Sequence, residues 1–141
     1  MKKRRLLKLA DFLDTVPRNK FDIGRWFSPV GEGAVFPVGE IPVVGACNTT
    51  ACAAGWATTI PTFKRAGLHL EPSERYGVDG ETGLVVMIPA YGDLRTQLAL
   101  EAFFGLPGRL AEFIFMPIGY RNGYATPKEV AKKIRRVVAE A

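Results

Sequence analysis

Between Val44 and Phe63 the chain places no charged side chain, although 23% of its 141 residues are charged. Within that stretch, Cys47-Asn-Thr-Thr-Ala-Cys-Ala-Ala-Gly-Trp-Ala-Thr-Thr-Ile60 consists of small residues around one tryptophan. A helix without a polar face has to be surrounded, and its alanines and glycine let neighbouring backbones approach closely. The pattern predicts a central buried helix over residues 50–59, capped near Thr49 and ended by Pro61, with a short turn through Phe63 closing at Gly67. Trp56 is then expected inside the protein. With 48% hydrophobic residues, the rest of the chain can supply the surrounding core. No run approaches the roughly 18 apolar residues of a membrane span, and the apolar stretch after Arg5 is too short for a signal peptide, so a cytoplasmic protein without membrane contact is expected.

Other elements follow from local pattern. Leu6, Leu9, Ala10, Leu13 and Val16 recur at helical spacing before Pro17. Phe21, Ile23, Trp26 and Phe27 form a short aromatic plug for which Asp22 is a candidate cap. The Gly/Pro-rich segment 28–46 is expected as a hairpin turning near Gly39, or equally as a loop or flap, inserted within a single domain 1–141. Asp79-Gly80 is a two-residue hairpin signal, and the run Leu84-Val-Val-Met-Ile88 before Pro89 is the best strand. Leu94 to Phe104 predict an apolar helix with Gly105 at its end, and Pro107 can open the next one. Thr126-Pro-Lys-Glu129 joins a capping box to a first-position proline. In the helix that follows, Val130, Ile134, Val137 and Val138 line one face, with Lys128, Lys132, Arg135 and Arg136 opposite and Glu129 placed to pair with Lys133. The expected fold class is α+β, a mainly helical single domain with a central buried helix and one or two short β-hairpins.

Charge sits at the ends. Residues 1–8 carry five positive charges and residues 128–141 another five against Glu129 and Glu140, so the ends contribute +8 to a net charge of +5 and leave residues 9–127 at −3. Should the first and last helices be neighbours, Lys2, Lys3, Arg4 and Arg5 together with Lys128, Lys132, Arg135 and Arg136 could track phosphates. The simpler expectation is a solubilising tail and a solvated helix face. The aromatics sit in apolar runs and are expected in the core.

The order of landmarks resembles a family of small proteins from bacteria and tailed phages. It is carried by Leu9-Ala-Asp-Phe-Leu-Asp-Thr-Val-Pro17, Phe21-Asp-Ile-Gly-Arg-Trp26, Ala102-Phe-Phe-Gly-Leu106 and Thr126-Pro-Lys-Glu-Val-Ala-Lys-Lys-Ile-Arg135. Its most specific part is the Cys47-x4-Cys52-x3-Trp56 segment, where related chains can carry His in place of Trp. The family often has Gly after the first cysteine, where this chain has Asn48. The resemblance implies an architecture, covers roughly half the chain and implies no activity.

Catalytic signatures are sparse. Cys47, Cys52 and His69 fall short of the four ligands of a structural zinc site, so no metal or cofactor is expected, and both thiols are read as buried, reduced and inert. A Cys–His dyad would need distant residues to meet, and His69 is expected at the surface. Ser28 and Ser73 lack a nucleophile elbow, and no phosphate-binding glycine loop is present. Glu71, Glu74, Asp79 and Glu81 remain candidates for a carboxylate pair that no spacing singles out. The expected function is a non-enzymatic accessory or interaction protein of phage origin that binds another protein. A nucleic-acid-associated protein using the basic terminal helices is the alternative, with a Cys/His-dependent enzyme as a minor third.

Overall fold

A computed structural model describes residues 1–30, 36–37, 41–73 and 84–141. In chain order its elements are α1 (Lys3–Leu13), β1 (Ser28–Pro29), β2 (Phe36–Pro37), β3 (Thr49–Thr50), α2 (Ala53–Ala57), α3 (Pro61–Arg65), β4 (His69–Ser73), β5 (Leu84–Tyr91), β6 (Leu94–Arg95), α4 (Thr96–Phe104), α5 (Gly108–Phe115) and α6 (Pro127–Glu140). The fold is a small, mainly helical α+β domain with α2 at its centre.

The uncharged segment is buried as its composition requires: Ala53, Ala54, Gly55, Trp56 and Ala57 are all inside. The helix is nevertheless much shorter than the 50–59 expected. Its start is set by neighbours, because Thr49 and Thr50 pair with Pro29 and Ser28, while the amides of Ala51 and Cys52 donate to the Lys20 and Arg25 carbonyls. Its end is set by the Thr58 and Thr59 hydroxyls, which donate to the Gly55 and Trp56 carbonyls at 2.6 and 2.7 Å. Pro61 then opens α3 at its first position, and Gly67 takes the left-handed turn (φ 103°) after it. Gly55 lies so close to the Trp26 carbonyl that an added Cβ would sit 2.0 Å from its oxygen. Trp56 packs its ring 6.2 Å from Phe12 and donates its indole N–H to the Lys20 carbonyl.

Strand β5 is longer than the run 84–88 and continues through Pro89 to Tyr91, with Pro89 opposite Leu70 of β4. Proline is tolerated because β2 reaches only Val85 and β6 begins only at Ala90, which leaves one side of β5 without a partner strand in between among the described residues. β4 and β5 are antiparallel, with Ser73 opposite Val86 and His69 opposite Ala90; the Asp79-Gly80 turn lies outside the described residues, as does the turn near Gly39. Phe36 pairs with Val85, whereas 41–43 form no strand. A tight hairpin that the pattern reading passed over joins β5 to β6 through Gly92-Asp93, with Gly92 (φ 58°) at the position a II′ turn reserves for glycine.

α4 ends on Gly105 in the left-handed conformation, as expected. Its Phe103 and Phe104 meet Phe63 of α3 edge-on, with ring centroids 5.1 and 5.8 Å apart, and form the middle of the core. α1 and α6 lie against each other in opposite directions: the Lys3 ammonium donates to the Ala141 carbonyl, and Arg135 meets Asp11 and Asp14. Thr126 caps α6 by accepting from the Glu129 amide at 3.2 Å.

Candidate functional site

The connection between α5 and α6 gathers cations. Two 3-10 turns, Pro117–Gly119 and Arg121–Gly123, fold it back on the end of α5, with Asn122 and Gly123 at positive φ. Gly119 is required there, since an added Cβ would lie 2.1 Å from the Phe113 carbonyl oxygen. This close approach brings the Phe113 and Gly119 carbonyls together. Lys133 of α6 donates to both, and its Nζ lies 3.5 Å from the Tyr120 ring centroid and 3.9 Å from that of Phe113. Carbonyl oxygens and ring faces both present negative potential to the ammonium. Lys133 is therefore drawn into the loop, and the Glu129–Lys133 pair expected from i, i+4 spacing does not form. Partial burial and the neighbouring Arg136 lower its pKa. Tyr120 is fixed as well: its hydroxyl donates to the Ile114 carbonyl at 2.6 Å, and burial pushes the phenol well above its usual range.

Beside this anchor lies a cleft of about 480 Å³ whose charged lining is Arg121, Lys132, Lys133 and Arg136 against Glu129 alone. Glu129 is partly engaged, accepting the Thr126 hydroxyl at 3.2 Å. Arg121 and Lys132 make no ion pair among the described residues, and Arg136 approaches Glu140 only at 4.0 Å. Four cations thus face one carboxylate across the cleft.

The basic residues singled out from sequence divide three ways. Lys128, Lys132 and Arg136 follow one another at i, i+4 and i+8 on α6, and the last two line the cleft. Arg135 instead turns to α1, where it donates to Asp11 at 2.8 Å and Asp14 at 2.6 Å; these carboxylates raise its pKa. The N-terminal cations serve helix ends. Arg5 donates to the Phe103 carbonyl at 2.7 Å with its guanidinium 4.1 Å from the Phe103 ring centroid, Lys2 reaches the Ala102 carbonyl, and Lys3 reaches Ala141. Arg4 stays exposed. Lys3 and Lys128 mark opposite ends of α6, which at 1.5 Å rise per residue are about 20 Å apart. Tyr120, Arg121 and Lys133 belong to the site without having been singled out. The available signal was Gly119-Tyr-Arg-Asn-Gly123, whose glycines and asparagine mark a reversal leading a cation back toward α6.

The remaining chemistry is dispersed. Cys52 is buried at the start of α2, and burial pushes its thiol from 9.0 up to about 11. Cys47 is exposed, contrary to the expectation of two buried thiols, because it sits in the turn before β3. His69 is exposed, with Nδ1 2.9 Å from the Gly67 carbonyl and Nε2 3.1 Å from Glu71, which also pairs with Arg95. The carboxylates Glu74, Asp79 and Glu81 lie outside the described residues. Among the described residues no three His, Cys, Asp or Glu side chains cluster as metal ligands would, and no helix is long and apolar enough to cross a membrane. No protein-family model, curated protein or solved structure matches the chain.

Proposed function

We propose that the protein is a non-enzymatic accessory protein that works by holding an anionic partner in the cleft beside α6. The carrying observation is the convergence of Arg121, Lys132, Lys133 and Arg136 on one concave surface with a single opposing carboxylate. Lys133 is pre-organised by two carbonyls and two rings, so little side-chain freedom is lost when an anion approaches it. A non-catalytic role is favoured by the thiols, one buried and poorly ionised, the other in an exposed turn. The resemblance of the Cys47-x4-Cys52-x3-Trp56 segment to small bacterial and tailed-phage proteins fits an accessory role. Asn48, where that family often has Gly, adopts φ 59°, a conformation asparagine tolerates better than most L residues.

Elution from a heparin column tests the reading. Lys132→Gln/Arg136→Gln should elute at clearly lower salt than Arg4→Gln/Lys8→Gln, which removes the same formal charge from exposed positions on α1. Equal elution of the two variants would mean that net charge alone is sensed and would overturn the proposal.

A further inference from the structure

We infer that the anion held by this cleft is the backbone of a single-stranded nucleic acid, running along the Lys128, Lys132 and Arg136 row with Tyr124 as a stacking surface; the inference rests on the anion-binding reading above. Residues four apart on a helix repeat about every 6 Å along its axis, on the scale of the step from one phosphate to the next. Arg121 and the anchored Lys133 line the cleft with the last two members of that row, so a strand would meet cations from the loop as well as from the helix. Tyr124 follows directly on the loop that carries Arg121 and is 80% exposed, an aromatic ring the core does not use. A basic groove with a spare aromatic face is the combination that grips single strands without sequence preference.

Duplex and acidic peptide fit less well. On α6 the next position before Arg136 is Arg135, bound to Asp11 and Asp14, so carboxylates border the positive strip on the α1 side and keep it narrow. Of the N-terminal cations that could have widened it, Lys2, Lys3 and Arg5 are occupied at the ends of α4 and α6. An acidic peptide would leave the exposed Tyr124 ring unused, whereas the bases of a single strand can stack on it.

Fluorescence anisotropy with a labelled dT tract of about 12 nucleotides, a site size within the range of single-strand grooves, measures this directly. The full chain should bind it more tightly than the matching duplex or an oligo-glutamate of equal charge. Lys132→Gln/Arg136→Gln should weaken binding at least tenfold and reduce the salt slope by about 1.4, from roughly 0.7 per phosphate contact. Tyr124→Ala should weaken binding about tenfold and leave the salt slope unchanged, because stacking releases no counterions. Circular dichroism melting would verify that these surface variants remain folded. Oligo-glutamate binding as tight as dT, and lost in Lys132→Gln/Arg136→Gln, would overturn the nucleic-acid inference and keep the anion site. Binding of neither polyanion would overturn both.

Discussion

The two cysteines show how far surroundings, rather than residue type, set chemistry. Cys47 is exposed in a turn, while Cys52 is enclosed at the start of α2 with its pKa raised to about 11 by burial. A thiol reagent near pH 8 should therefore modify one cysteine quickly, and Cys47→Ser should abolish that phase. Modification of two thiols per folded chain at similar rates would contradict the burial. The raised pKa also predicts a pH dependence. A group whose folded pKa lies above its unfolded value contributes fully below the unfolded pKa, and the contribution is lost as pH rises toward the folded one. Between about pH 9 and 11 wild type should thus lose roughly 2–3 kcal/mol through this thiol, at about 1.4 kcal/mol per pKa unit. Denaturant titrations across that range should show a shallower decline for Cys52→Ala than for wild type.

Among the elements, α6 divides its cations between two tasks that look alike in sequence. Arg135 ties it to α1 through Asp11 and Asp14, whereas Lys132 and Arg136 face the cleft. Arg135→Gln should cost up to about 1 kcal/mol, since the bonds are short but the side chains remain well exposed. Lys132→Gln/Arg136→Gln should leave the unfolding midpoint almost unchanged. Urea titrations at low and high salt separate the cases: the Arg135 effect should shrink with salt, and an equal loss in both variants would refute the division. The capping signal at Thr126 was readable because it is local, with the hydroxyl meeting an amide three residues on. The length of α2 was not readable, because Ser28 and Pro29, distant in sequence, pair with Thr50 and Thr49 and the chain stays extended through Cys52.

Across the whole molecule, the N-terminus is part of the packing. Arg5 is half-buried against Phe103 and places its charge at the C-terminal end of α4, where the exposed carbonyls favour a cation. Arg5→Ala should therefore destabilise by about 1–2 kcal/mol, counting a charge-assisted hydrogen bond and the lost ring contact. A thermal melt superimposable on that of wild type would return residues 2–5 to the status of a solubilising tail. Sequence alone was enough for the α+β class, the burial of Trp56, the Gly105 helix end and the start of α6, because each depends on composition or on residues within one turn of each other. The extension of β5 through Pro89, the exposure of Cys47 and the shortening of α2 depended on distant partners. So did the cleft: Gly119 has to meet Phe113 before Lys133 can leave Glu129, and Asp11 and Asp14 have to meet α6 before Arg135 separates from its neighbours. Local pattern records which side chains share a helix face, whereas the partner each cation takes is settled by which carbonyl, ring or carboxylate the tertiary packing brings within reach.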